Sequence, residues 1–235
     1  MNGKRAAIFD FDDTLVHTNV VFERVKAAFA QEMAALGLAD AELLLVLNRF
    51  DVENVRRHGG LAKECFPHAL RQTYAEYCRR AGLPCDRLQA ETFENWGWSV
   101  FDAPVEPVEG AHEVLETLRR AGWTLFLLTQ GDRQTQEKRL AAAGMNGYFH
   151  KYYITHAKSK ADFLLPLAEY DLPATACWSV GNSIRADMNP ALAAGLRAIH
   201  VCHECWDYEH AQPAGFFYQV ERLADCLPIL FQNEE

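Results

Sequence analysis

Asp10-Phe-Asp12-Asp-Thr14 sets two carboxylates two residues apart, with a hydroxyl two further on, directly behind the apolar run Ala6-Ala-Ile-Phe9. In extended or just-turning chain the side chains of Asp10 and Asp12 project the same way, so their like charges need a shared cation or proton. Mg²⁺, a hard ion that takes oxygen ligands, suits such a pair. The same spacing also describes an ordinary strand ending in an acidic turn, so further polar strand ends must carry the argument.

Three such ends follow. Thr129 closes the apolar run from Trp123, and its hydroxyl, with the amides of Gln130 and Gly131, would offer neutral donors to phosphate oxygens. Lys158 stands before a predicted helix, where a cation would offset clustered carboxylates and a phosphate, with Lys160 as the competing lysine. Gly181-Asn182-Ser-Ile-Arg-Ala-Asp187 presents an amide oxygen and a carboxylate five residues apart, both plausible Mg²⁺ ligands.

The elements that must position these residues form two sets. Ala6 to Phe9 reads as a strand buried on both faces, which parallel sheets place centrally, so Asp10 and Asp12 fall at its carboxyl end, where open α/β sheets bind ligands. From about 19 to 98 the periodicity is helical: Val21, Val25, Phe29 and Met33, then Leu43 to Phe50 ending near Gly59-Gly60, then 63–80, and a weaker segment over 85–98. The proline-bearing stretch 102–110 reads as a linker. Beyond it, strands end at Thr129, 150–154, 176–180, 198–202 and 216–220, alternating with helices over 111–121, 133–143, 161–170, 187–194 and 222–230. That alternation predicts a parallel sheet with right-handed crossovers.

With 49% hydrophobic residues among 235, the chain is long enough for one core and an inserted subdomain. Its net charge of -9 argues against nucleic acid and anionic membrane as partners. The opening residues lack the pattern of a signal peptide and no long apolar run follows, which predicts a cytoplasmic protein; the expected assembly is a monomer or a homodimer. Seven cysteines read as reduced thiols. Cys202-His-Glu-Cys205 has metal-ligand or redox spacing without a second pair, so a strand end running into a loop is the favoured reading. Trp96, Trp98 and Phe216-Phe-Tyr218 read as packing aromatics, and 206–210 as a stretch that would line an entrance.

Asp10 to Thr14, Thr129, Lys158 and Gly181 to Asp187 together resemble, in order, the four motifs of the haloacid dehalogenase (HAD) superfamily, across essentially the whole chain. The resemblance implies an α/β fold: a Rossmann-like parallel sheet core formed by 1–17 and 104–235, and an inserted α-helical bundle cap domain over 18–103. It implies Mg²⁺-dependent phosphoryl transfer to and from an aspartyl-phosphate. Asp10 then corresponds to the nucleophile, and Asp12 to the general acid and base that separates phosphatases from the metal-independent dehalogenase branch. Thr129, Gln130 and Lys158 correspond to phosphate binders, and Asp10, Asp12 through its carbonyl, Asn182 and Asp187 to the metal set. Asn182 departs from the acidic residue usual there, which predicts weaker Mg²⁺ binding. The loop around Arg57 and His58 matches a substrate-reading loop of the cap, and equally a basic helix C-terminus. The expected substrate is a small phosphorylated metabolite. A phosphomutase, and a non-catalytic phosphate-binding regulator, are the competing functions.

Overall fold

The computed structural model describes residues 5–202 and 211–232. The chain divides into two compact units, Met1–Asn19 with Val105–Glu235, and Val20–Pro104.

The first unit is built on β1 (Ala6–Phe9), whose four residues are all buried. With it run β4 (Thr124–Gln130), β5 (Lys151–Thr155), β6 (Cys177–Gly181), β7 (Arg197–Val201) and β8 (Tyr218–Val220), in the order β5-β4-β1-β6-β7-β8. Every neighbouring pair in this sheet is parallel, with Phe9 in register between Leu127 and Val180. Parallel pairing demands crossovers, so both faces are covered and the strands are apolar on both sides. Ala7, Phe9, Leu125, Leu127, Trp178 and Val180 pack on one face against Val114, Leu115 and Leu118 of α5 (Ala111–Arg120). On the other, Ala6, Ile8, Phe126, Leu128 and Cys177 meet Phe163 and Leu167 of α7 (Lys160–Tyr170). β2 (Val16–His17) pairs antiparallel with β3 (Glu106–Pro107), which lies inside the stretch expected to be a linker. Two-residue strands are too short to show a period, which is why the sequence did not reveal them.

The second unit holds α1 (Asn19–Ala35) from Val20 onward, α2 (Leu43–His58), α3 (Cys65–Ala81) and α4 (Arg87–Ser99). Phe29, Met33, Leu47, Leu70 and Phe93 are its fully buried centre. Phe29 and Tyr74 meet Phe93 edge to face, at ring separations of 4.7 and 5.2 Å. Gly97 permits close packing of α4 on α3, since a Cβ there would lie 2.5 Å from the Cα of Pro67. Among the described residues no helix is long and apolar enough to cross a membrane.

Several boundaries differ from expectation. The helix predicted over 187–194 is a π-helical turn, Ile184–Met188, running into the short α8 (Asn189–Ala193). Ser183 caps the turn by accepting from the Ala186 amide, and Pro190 can only join the first turn of the helix that follows. The helix predicted over 222–230 splits into a 3-10 turn, Leu223–Asp225, and α9 (Cys226–Phe231). The last strand starts at Tyr218, where its ladder with Ile199 opens; Phe216 is exposed and meets Tyr218 edge to face instead of filling the core.

Candidate active site

β1 delivers Asp10 to the carboxyl end of the sheet, where the Asp10 amide is held by the Val180 carbonyl at 2.9 Å. The chain then turns tightly: the amides of Leu15 and Val16 both return to the Phe11 carbonyl, and Asp13 sits in the left-handed region at φ 56°. Asp13 is buried, and its carboxylate accepts the amides of Thr18 and Asn19, which fixes the start of α1. Burial raises the Asp13 carboxyl to about 6 against those two hydrogen bonds.

Lys158 is the lysine that enters the site. Its side chain is 2% exposed, and its Nζ lies 2.6 Å from Asp10 Oδ1 and 2.5 Å from Asp187 Oδ1. Lys160 begins α7 and is exposed. Asp162 accepts from the amide and hydroxyl of Ser159, capping α7 immediately behind Lys158. Burial opposes the Lys158 charge, yet Asp10 and Asp187 outweigh it and hold the ammonium above the ordinary lysine range. Burial also pushes Asp10 up to about 7; Lys158 opposes this, while Asp187 and Asp12 add to it. One ammonium thus faces two deeply buried carboxylates, and the crowding shows as the raised proton affinity of Asp10.

Thr14 bridges Asp10 to the fourth strand end, its hydroxyl lying 3.0 Å from Asp10 Oδ2 and 3.4 Å from Asn182 Oδ1. Asp187 receives the Ser183 amide on Oδ2 at 3.0 Å. Gly181 makes room for it, because a Cβ there would fall 2.4 Å from the Asp187 carboxylate. Asp10, Asn182 and Asp187 each offer a side-chain oxygen, which fits Mg²⁺, and a divalent cation there would favour the ionised form of Asp10. No group of three or more His, Cys, Asp or Glu side chains arranged to hold a metal occurs among the described residues, so the Asn182 amide and the Asp12 carbonyl would have to complete the set.

Thr129 is fully buried at the end of β4; its Oγ1 accepts from Gln136 Nε2 at 2.8 Å and donates to the Gln130 carbonyl at 3.5 Å, a long contact that a phosphate oxygen could replace. The expectation for the amide of Gly131 is corrected: it donates to the Thr155 carbonyl at 2.9 Å, since the ladder to β5 continues past Gln130, and it is not presented to a phosphate. The Gln130 side chain reaches the His156 carbonyl at 3.4 Å.

Asp12 is the candidate residue whose surroundings the sequence did not foretell. Its Oδ1 is ion-paired with Arg139 and accepts from the Thr18 hydroxyl at 2.7 Å, while Oδ2 accepts from Gln136 Nε2 at 2.7 Å. Burial alone would raise its pKa; Arg139, Thr18 and Gln136 outweigh burial and hold it below the usual carboxylate range. Gln136 and Arg139 belong to α6 (Arg133–Ala142) and are spaced i, i+3, the one sequence signal that they share a face.

Arg57 and His58 belong to the other unit, in the exposed last turn of α2, which Gly59 ends at φ 72°. Arg57 pairs with Glu53 at 2.5 Å, the basic helix C-terminus that the sequence equally allowed. The described cysteines are free; Cys202 is exposed, and 203–210, with the rest of the Cys-His-Glu-Cys stretch and Trp206, lie outside the described residues.

Residues 4–195 match the haloacid dehalogenase-like hydrolase family. The pyrimidine 5'-nucleotidase PynA of Streptococcus pneumoniae is 28% identical over 131 residues, 52% of this chain and 54% of that protein, so the match spans about half of its length. The N-acylneuraminate-9-phosphatase of Rattus norvegicus is 26% identical over 209 residues, 83% of this chain and 80% of the relative. Among solved structures, a haloacid dehalogenase-like family hydrolase from Xanthomonas campestris superposes with a TM-score of 0.77 at 21% identity, covering 98% of this chain and 95% of that one. That likeness concerns the fold.

Proposed function

The chain belongs to the haloacid dehalogenase-like hydrolases, and we propose that within the family it is a phosphatase that hydrolyses a small phosphorylated metabolite through an aspartyl-phosphate, with Mg²⁺ as cofactor. The observation that carries this reading is Lys158, buried between Asp10 and Asp187, beside the Thr14 hydroxyl on the other Asp10 oxygen. The names of the nucleotidase and the acylneuraminate phosphatase supply the reaction class. The helical unit is proposed as the cap inserted after the first motif.

In the first half-reaction an Asp10 oxygen forms a bond to phosphorus as the bond to the substrate alkoxide breaks, and Asp12 gives its proton to the departing oxygen. Asp12 is held ionised here; the negative charge of an arriving phosphate would raise its proton affinity. In the second, Asp12 takes a proton from water while the water oxygen attacks phosphorus, releasing Asp10 and inorganic phosphate. Lys158 and Thr129 hold the phosphoryl oxygens and keep the reacting groups in line. Bound at Asp10, the Asp12 carbonyl, Asn182 and Asp187, Mg²⁺ would neutralise charge on the phosphoryl oxygens.

Turnover of p-nitrophenyl phosphate and a panel of phosphorylated metabolites, with and without Mg²⁺, tests the reading against Asp10→Asn. We expect Mg²⁺-dependent turnover that the substitution abolishes. Activity surviving Asp10→Asn would reject the covalent route, and an inert parent protein would reject the phosphatase.

A further inference from the structure

Two side chains of α6 reach across to the ends of two different strands. Gln136 is 4% exposed, and its Nε2 donates to Asp12 Oδ2 at 2.7 Å, to Thr129 Oγ1 at 2.8 Å and to the Gln130 carbonyl at 2.9 Å. An amide nitrogen carries two protons, so three acceptors share two donors, and the carboxylate and the hydroxyl are drawn together. Arg139 completes the hold. One guanidinium nitrogen pairs with Asp12 Oδ1 and lies 3.1 Å from Gln136 Oε1, while the other donates to the Thr18 hydroxyl at 2.8 Å. Thr18 in turn donates to the same Asp12 oxygen at 2.7 Å, closing a ring, and the guanidinium lies over the Phe11 ring at 5.4 Å. Asp12 therefore has its carboxylate plane fixed from both edges.

Burying such a network is a poor way to gain stability, since well-packed apolar residues often do as well. What polar contacts of fixed geometry do supply is direction. They end on Asp12 and Thr129, which in the phosphatase reading act on the leaving oxygen and on the phosphoryl group. We propose that Gln136 and Arg139 are positioning residues that aim Asp12 at the leaving-group oxygen while holding Thr129 at the phosphoryl group, an inference that rests on the phosphatase reading. It follows that this positioning counts most for esters of unactivated alcohols, whose alkoxides cannot depart without a proton, and little for phosphates with good leaving groups.

The test compares two substrates through kcat/KM, which reads only the steps up to departure of the alcohol. One is the alkyl phosphate that the parent enzyme turns over fastest; the other is 2,4-dinitrophenyl phosphate, whose leaving group needs no proton. In Arg139→Met we expect kcat/KM for the alkyl ester to fall by about 100-fold, the scale of a lost general acid, and that for the dinitrophenyl ester by less than about threefold. Arg139→Lys should restore part of the difference. Arg139→Gln gives the same reading should Arg139→Met fail to fold; Gln136→Met, which also releases Thr129, should lower both esters but the alkyl ester more, with circular dichroism and thermal melting checking each variant. Equal falls on both substrates, or none, in the folded variants would overturn the positioning role, while the phosphatase stands if Asp10→Asn is dead. A parent that turns over neither ester removes the phosphatase reading and this inference together.

Discussion

Replacing Lys158 by methionine keeps most of its volume and removes the one ammonium shown between Asp10 and Asp187. The carboxylates, 9% and 2% exposed at their side chains, then face each other without it. Breaking a buried ion pair from one side costs about 3–5 kcal/mol. At roughly 2–4 °C per kcal/mol for a chain of this size, that is a fall in Tm of roughly 6–20 °C. The sign of its pH dependence follows from Asp10, whose carboxyl lies at about 7 with Lys158 present and must rise further without it. Below about 7 Asp10 is protonated in both proteins, so the difference is set by the lost pairing with Asp187 and does not change with pH through Asp10; above it the parent ionises first, and the gap widens by up to about 1.4 kcal/mol per pH unit. Thermal unfolding of both proteins in EDTA, at about pH 6 and about pH 8, measures this. A Tm fall under roughly 2 °C, or one equal at the two pH values, would refute the view that Lys158 is the buried counter-charge of the site.

Two further outcomes follow from the same cluster. Gly181→Ala would put a Cβ 2.4 Å from the Asp187 carboxylate, forcing it off Lys158 and the Ser183 amide. Overpacking of this kind costs about 1–3 kcal/mol, read by urea denaturation, and should also lower turnover; an unchanged midpoint and rate would show that Asp187 needs no such close approach. In the metal-free parent, Asp10 is raised from 3.8 to about 7, so its contribution is full below 3.8 and is lost as pH rises through 7. Asp13, raised to about 6, acts in the same direction, and Asp12, lowered, opposes them. Denaturation in EDTA should therefore show stability falling between about pH 4 and 7, by roughly 4 kcal/mol from Asp10 before the opposing share of Asp12; a flat or rising profile would contradict the burial of Asp10.

The amino-acid sequence by itself determined what short stretches can decide. Ala6 to Phe9 has no polar side for water, so it had to be an inner strand, and Gly59 after three basic residues marks a helix end wherever that helix is placed. The order of strands and helices, and hence the parallel sheet, followed from alternation, because parallel neighbours need crossovers. Which side chains meet was decided by tertiary structure. Lys158 and Lys160 differ little in local chemistry, and only the docking of α7 sends one of them to a carboxylate 148 residues away. Arg139 stands 127 residues from Asp12 in a helix rich in polar and charged residues, and nothing local marks it as the partner of that carboxylate. The Gly131 amide looked free for a phosphate until the register of β4 against β5 assigned it to Thr155. Periodicity reports which face of an element is buried; partners are chosen by the geometry of elements packed together, which no window of a few residues contains.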